Sequence, residues 1–248
     1  MEDRRRTAIV TGAGSGIGQA TARRLARGGC AVACLDVRGA AAGETAVAIR
    51  EDGGEAWGVP VDVTDPAEVE AAVLSVVGDD PRLDVLVNAA GIVFYRSLAE
   101  TTVDDLDRVL RVNLVGTFAM CRAAAPALAA AKGAIVNVAS AAGLNGRAYL
   151  SAYSASKGGV VALTSSLAVE LAPDVRVNAV CPGSVDTPMV AGITLPDDVD
   201  ASKLDRHPML TGRRATADEI AAAIDHLASP EAGSTTGAVL RIDGGAAA

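Results

Sequence analysis

The chain has 248 residues, half of them hydrophobic and 2% aromatic, with a formal net charge of −8. That is enough apolar material for one sizeable α/β core, and the acidic balance argues against the basic stripe of a nucleic-acid surface. The sequence contains no run of eighteen uncharged apolar residues, and "MEDRRRTAIV" opens on charges before a very short apolar run. Neither a membrane span nor a secretory leader is expected, and the reading is a cytoplasmic protein.

In chain order, short β-branched runs alternate with longer helical patterns. After the solvated basic cluster "DRRR" (3–6), "TAIV" (7–10) predicts the first strand. It feeds the glycine-rich "TGAGSGIG" (11–18) and the helical stretch "GIGQATARRLARGG". Further strands are predicted at "AVACLDV" (31–37), "AWGVPVDV" (56–63), "LDVLVN" (83–88), "GAIVNVAS" (133–140), "VRVNAVCP" (175–182) and "AVLRID" (238–243). In "DPAEVEAAVLSVVG", Asp65, Pro66 and Glu68 read as N-cap, N1 and N3 of a helix. The alternation predicts right-handed crossovers. The expected fold is a single doubly wound, Rossmann-like α/β domain over residues 1–248, a mainly parallel seven-stranded sheet with helices on both faces. Cys30, Cys34, Cys121 and Cys181 form no CxxC pair and have no neighbouring histidine, so no metal site or disulfide framework is expected.

In such a sheet ligands bind beyond the carboxyl ends of the strands. Residues with chemical potential follow the apolar runs here: "TGAGSGIG", Asp36, Asp62, "NAAG" (88–91), Ser140 and "PGSVDTP" (182–188). The fold would bring all six to one rim. Gly12, Gly16 and Gly18 permit a tight turn and close approach to a pyrophosphate, with Ser15 and Ile17 between them at a helix N-terminus that offers free N–H groups. The spacing is G-x-x-x-G-x-G with an additional Gly14, not the commoner GxGxxG. Asp36, eighteen residues past Gly18, is placed to bind ribose hydroxyls and to repel a 2′-phosphate, which favours NAD over NADP; Arg38 offsets part of that repulsion. In "VDV", Asp62 and Val63 are candidates for the adenine, although Asp62 suits a capping role in "DVTDP" equally well. Asn88, Ala89 and Gly91 let a ring or ribose approach the backbone.

The chain has three tyrosines and three lysines, and "YSASK" (153–157) holds one of each, four apart in a helical pattern. Side chains at that spacing meet on one face. A phenol with a pKa of about 10 needs lowering by roughly three units, about 4 kcal/mol, to work near neutrality. A cation about 4 Å away at an effective dielectric near 20 supplies that much, so Lys157 can make Tyr153 a general acid/base. The alternative is an ordinary half-buried tyrosine beside a surface cation. Ser140 closes a strand on the same rim, and its hydroxyl is suited to hold a substrate oxygen. Asn113, in the helical "RVNLVGTF", is suited to hold a water beside Lys157, or else to bond its own helix at a kink.

These motifs together resemble the short-chain dehydrogenase/reductase family over essentially the whole chain: "TGAGSGIG", Asp36, "NAAG", Asn113, Ser140, Tyr153-x-x-x-Lys157, "PG" followed by Thr187, and the closing "RIDGG". The resemblance implies that Tyr153 exchanges a proton with the substrate oxygen and that Ser140 orients it. It implies that Lys157 lowers the Tyr153 pKa and binds the nicotinamide ribose, that Asn113 holds a relay water, and that Thr187 contacts the carboxamide. Pro182, Gly183 and Val185 belong to the same cofactor-facing segment. Hydride would pass directly between nicotinamide and the carbon bearing the oxygen, without a metal. A homotetramer is also implied, with helices around 102–130 and 153–171 across a dimer interface.

The segment 185–212 is expected to cover the substrate, with Met189, Val190, Ile193, Leu195 and Leu210 as its apolar members and "LPDDVD" as a polar section. Phe94, Tyr95, Ala142, Leu144 and Tyr149 are expected on the other side. The substrate reads as a mainly apolar secondary alcohol or its ketone. One rival is a 3-oxoacyl-carrier-protein reductase using NADPH, with Arg206, Arg213 and Arg214 as a docking patch. The other is an NAD-binding sensor or scaffold without catalysis.

Overall fold

A computed structural model describes residues 5–193, 195, 199–204 and 209–247. In chain order its elements are β1 (Thr7–Thr11), α1 (Gly16–Arg27), β2 (Ala31–Asp36), α2 (Gly39–Glu51), β3 (Glu55–Pro60), α3 (Pro66–Val77) and β4 (Val85–Asn88). There follow α4 (Val103–Leu110), α5 (Gly116–Ala131), β5 (Ala134–Val138), α6 (Ser151–Glu170), β6 (Arg176–Pro182), β7 (Val185–Asp186), α7 (Pro188–Ala191), β8 (Ala215–Thr216), α8 (Ala217–Ala228) and β9 (Val239–Ile242).

Seven strands form one sheet in the order β3-β2-β1-β4-β5-β6-β9, and every pairing is parallel. This is the predicted doubly wound Rossmann-like fold. Parallel strands covered on both faces read as continuous apolar runs, and alternate residues go to opposite sides. Ala8, Val10, Val32 and Cys34 pack with Leu25 of α1, Ile49 of α2 and Ile220 and Ile224 of α8. Ile9, Ala33, Leu35, Leu86 and Ile135 pack with Val69 and Val73 of α3 and Met120 and Leu128 of α5. The strand order reverses direction between β1 and β4, which places a cleft at their carboxyl ends.

Two features differ from the sequence reading. The strand expected at 56–63 ends at Pro60, because Val61–Val63 turn over the sheet edge towards α3. A second, two-stranded parallel sheet pairs Val185 with Ala215 and Asp186 with Thr216. It ties the segment after β6 to the segment before α8. The predicted helix start is as expected: Asp65 accepts from the N–H groups of Ala67 and Glu68, and Pro66 is the first helical residue.

Between α4 and α5 the helix continues through a π-helical turn, Arg111–Val115. The whole helix, Val103–Ala131, is long and apolar enough by length and composition to cross a bilayer, with a mean hydropathy of 1.5 in its best window. It carries Arg111 and Arg122 within it, so it holds no uncharged apolar run of eighteen residues. Here the helix packs along α3 and α6, burying Val109, Asn113, Met120, Ala124 and Leu128.

Candidate active site

The glycine-rich turn joins β1 to α1. Gly12 has φ of +65°, and a Cβ on it would lie 2.9 Å from the backbone of Ala90. A Cβ on Gly18 would lie 2.2 Å from the carbonyl oxygen of Gly12, so the turn closes only with glycine there. Thr11 Oγ1 accepts from the N–H groups of Ala89 and Ala90, both at 3.1 Å, and so fastens "NAAG" against the turn. Ser15 is the N-cap residue of α1, yet its side chain makes no capping bond. The first N–H groups of α1 are left for an anion, which suits a pyrophosphate. A Cβ on Gly16 would touch Thr187, so the segment after β6 reaches across to this turn. Ile17 points back into the core.

Asp36 ends β2, is 8% exposed, and accepts from the N–H of Gly14 at 3.0 Å and of Arg38 at 2.9 Å. The Arg38 guanidinium lies 3.5 Å from the Asp36 carboxylate and donates to Ser15 Oγ at 3.2 Å. A buried carboxylate beside an uncapped helix N-terminus and a turn with no room for a Cβ is a cradle of the right chemistry for a dinucleotide: an anion site at one end, a hydroxyl acceptor at the other. Asp62 accepts from the Thr64 N–H and hydroxyl, an Asx turn leading into α3. Val63 packs on the long helix at Gly116. The Asn88 amide donates to Asn137 at 2.8 Å, and Asn137 donates to Thr164 at 2.9 Å. This buried polar ladder links β4, β5 and α6, so the Asn88 side chain serves the sheet. The Asn88 side-chain oxygen Oδ1 is buried without a hydrogen-bond partner among the described residues. Val185 is buried in the core, while a Cβ on Gly183 would strike Asp243 in the turn after β9.

Across the cleft, Ser140, Tyr153, Lys157 and Asn113 converge. Ser140 follows β5 and caps a 3-10 turn, accepting from the Ala142 N–H at 3.1 Å. Its hydroxyl donates to the Pro182 carbonyl at 3.5 Å, lines the same cavity as Tyr153, and draws the Tyr153 phenol towards ionisation. Lys157 lies one turn along α6, with Nζ 5.8 Å from the centre of the Tyr153 ring. It is 5% exposed and donates to the Val138 carbonyl at 2.8 Å. The predicted i, i+4 pair therefore shares one face. The expected lowering of the Tyr153 pKa by Lys157 is not seen: burial dominates at both groups, and neither is among the influences on the other. Burial pushes the Tyr153 phenol up to about 12, against a smaller downward pull from Ser140, and pushes Lys157 down to about 8. From the protein's own groups the phenol is a proton donor at neutral pH.

Asn113 sits in the π-turn, fully buried. Its amide oxygen accepts from the Ile92 N–H at 2.8 Å, and its nitrogen donates to the Ile92 carbonyl and to Ser156 Oγ, both at 3.0 Å. Thr117 Oγ1 donates to the Asn113 carbonyl at 2.8 Å. The side chain thus clamps the strand end after "NAAG" to α6. Its amide oxygen and Lys157 Nζ both flank Gly91. Ser156 and Thr11 were not singled out in the sequence. Thr11 had a signal, its place at the end of the first strand; Ser156 is one of many serines and had none.

A cavity of about 780 Å³ opens from Ser140 and Tyr153, a volume suited to a small-molecule ligand. Met189, Val190, Ile193 and Leu195 line one side, with Tyr95 and Ala142 opposite, as expected. Phe94, Leu144, Tyr149 and Leu210 do not line it. Phe94 packs under the Arg96 guanidinium at 5.3 Å, Leu144 and Leu210 are exposed, and the Tyr149 hydroxyl accepts from the Asp200 N–H at 2.9 Å. Val93, Leu150, Leu204, Met209 and Arg147 also line it, beside or within the segments expected there though not named themselves. Half of "LPDDVD" (196–198) and Arg206 lie outside the described residues.

A family model described as enoyl-(acyl carrier protein) reductase matches residues 12–247. The chain belongs to the short-chain dehydrogenase/reductase family, enzymes acting on CH–OH and C=O groups with a nicotinamide cofactor. It is 47% identical over 244 residues to cis-4-hydroxycyclohexanecarboxylate dehydrogenase of Sinomonas cyclohexanicum, covering 97% of this chain and 96% of that protein. It is 38% identical to meso-2,3-butanediol dehydrogenase of Serratia marcescens, covering 97% and 94%. Among solved structures, a dehydrogenase/reductase from Sinorhizobium meliloti 1021 superposes with a TM-score of 0.88 at 40% identity, covering 98% of this chain and 95% of that one.

Proposed function

We propose that the chain moves a hydride between NAD and the oxygen-bearing carbon of a mainly apolar secondary alcohol or its ketone, with Tyr153 as general acid/base. The observation that carries this reading is that Ser140 and Tyr153 share the wall of one largely apolar cavity, with the Lys157 ammonium 5.8 Å from the centre of the Tyr153 ring. The relatives named for alcohol oxidation at 47% and 38% identity support it. When bound, the nicotinamide supplies the hydride donor or acceptor and, in its oxidised form, a positive charge near the phenol.

The chain's own groups do the rest. Ser140 holds the substrate oxygen against Tyr153. In reduction Tyr153 gives its proton to that oxygen; in oxidation it takes the hydroxyl proton. A phenol at about 12 suits the first role as it stands, whereas the second needs positive charge beside it, and Lys157 is the cation in place. Lys157 also reaches the nicotinamide ribose, and Asn113 holds the relay water near Gly91. Gly12, Ser15, Gly16, Ile17 and Gly18 receive the pyrophosphate, and Asp36 the adenosine ribose. Asp62 and Val63 border the adenine, Asn88, Ala89 and Gly91 border the sugar, and Pro182, Gly183, Val185 and Thr187 border the nicotinamide. Residues 1–248 act as one domain, with 185–212 over the substrate, in a cytoplasmic homotetramer. The exposed Val115 and Phe118 on the long helix and Val169 on α6 offer the apolar faces such an assembly needs.

The family description favours a carrier-linked reductase as the second reading. Asp36 opposes a 2′-phosphate, and Arg213 is taken up by Glu219 at 2.6 Å, which leaves less of a basic docking patch. A non-catalytic sensor has no use for Ser140, Tyr153 and Lys157 in one place. The test is absorbance at the reduced-nicotinamide band for a panel of secondary alcohols and ketones with each dinucleotide. Turnover is expected with NAD and apolar secondary alcohols; turnover confined to NADPH and carrier-linked 3-oxoacyl substrates would replace this reading with the second.

A further inference from the structure

The cavity wall is not neutral. It holds three cationic side chains, Arg147, Lys203 and Arg214, and among the described residues no aspartate or glutamate. Lys203 has Asp200 at 3.9 Å. Arg213, beside Arg214 in sequence, has both nitrogens on Glu219, which also accepts from Thr216. Arg147 and Arg214 have no ion pair among the described residues. They come from unrelated segments, the loop after the Ser140 turn and the residue leading into β8. Their charges reach the same group, Tyr95, whose hydroxyl both pull towards ionisation against a larger upward push from burial. Tyr95 in turn acts on Tyr153, while the arginines are not among the influences on Tyr153.

We propose that the substrate is a secondary alcohol or ketone on an apolar skeleton that carries a carboxylate at the end remote from the reacting oxygen, and that Arg147 and Arg214 bind that carboxylate. This rests on the alcohol-dehydrogenase reading of the site and adds the charge of its substrate. Unneutralised guanidiniums facing an apolar, partly dehydrated cavity attract an anion strongly, and their planar fork matches a carboxylate. The apolar side chains of Val190, Ile193 and Met209 line the same cavity and suit the apolar skeleton.

The experiment compares kcat/KM for 4-hydroxycyclohexanecarboxylate with that for its methyl ester, in the wild type and in Arg147→Gln, Arg214→Gln and the double variant. Hydrogen bonds to charged groups lead us to expect a wild-type preference for the acid of at least about tenfold. Each single variant should narrow the ratio, and the double variant should bring it to within about threefold of one. The loss should appear in KM for the acid, because the carboxylate is held equally before and during hydride transfer. Raised salt should narrow the wild-type ratio too. Equal rates for acid and ester in the wild type, or a preference that survives in the double variant, would overturn the proposal while leaving the dehydrogenase reading intact. No turnover of any alcohol or ketone with either dinucleotide would defeat both.

Discussion

The two sides of the cleft are built from different material. The dinucleotide side consists of backbone and strand ends: the turn at Gly12–Gly18, Asp36 closing β2, and the chain after β4 pinned by Thr11. Its geometry is imposed by the parallel sheet, and most of its positions tolerate one residue type for a steric reason. The substrate side consists of side chains from loops, Tyr95, Arg147, Met189, Val190, Met209 and Arg214, held together by small devices. One is the β7–β8 pair; another is Tyr149, which has φ of +64° and binds the Asp200 N–H. On the function proposed, the first side fixes which reaction class is feasible and the second fixes which molecule undergoes it. Ser140, Tyr153 and Lys157 stand between the two.

If that contrast holds, damage to the first side should be general and large. Gly18→Ala puts a methyl group against the Gly12 carbonyl. Dinucleotide affinity should fall by at least about 100-fold and stability by roughly 3 kcal/mol, as for overpacked sites. Calorimetric titration with NAD and urea denaturation check both, and near-normal binding would show that the turn has slack. A smaller, selective effect is expected from Asp36→Ala. Loss of one charged hydroxyl acceptor should weaken NAD by about 10- to 100-fold and leave NADP unchanged or improved. Equal losses with both dinucleotides would remove the basis for assigning the preference to Asp36.

The border between the sides can be read through pH. Burial holds Lys157 at about 8, below its ordinary 10.5. Below pH 8 both folded and unfolded chains carry this proton, and the folded chain bears the cost of a buried charge. Between about pH 8 and 10 the unfolded chain keeps more protons, so this group makes the native state gain stability as pH rises. Lys157→Met should therefore lead the wild type most at pH 7, and the gap should close by about 2 kcal/mol towards pH 10. Tyr153, raised to about 12, contributes little in that window. Urea midpoints for both proteins at the two pH values test this, and a pH-independent gap would mean that Lys157 is not desolvated as its surroundings imply.

The same contrast explains what could be read in advance. Strand runs such as "TAIV" and "VRVNAVCP" announce a buried parallel sheet because both of their faces are apolar. Rim residues are then located by topology alone, which is why Asp36, Ser140 and "PGSVDTP" could be placed together. The Tyr153–Lys157 pair needs only helical spacing. What the spacing leaves out is solvation: burial sets the pKa of both groups, and no sequence pattern reports that. Likewise the π-turn at Arg111–Val115 lies inside an unbroken helical pattern, and β7 and β8, of two residues each, are too short for any periodicity. Arg214 reads from the sequence only as part of a docking patch, and Arg147 carries no signal, until the fold sets both at one cavity.

The most direct measurement is Tyr153→Phe, assayed for turnover and for dinucleotide affinity on the same preparation. The account predicts that kcat for alcohol oxidation falls by at least about a thousandfold, the upper part of what a positioned acid/base contributes, while NAD affinity stays within about threefold of the wild type. Turnover that persists without the phenol oxygen would contradict it.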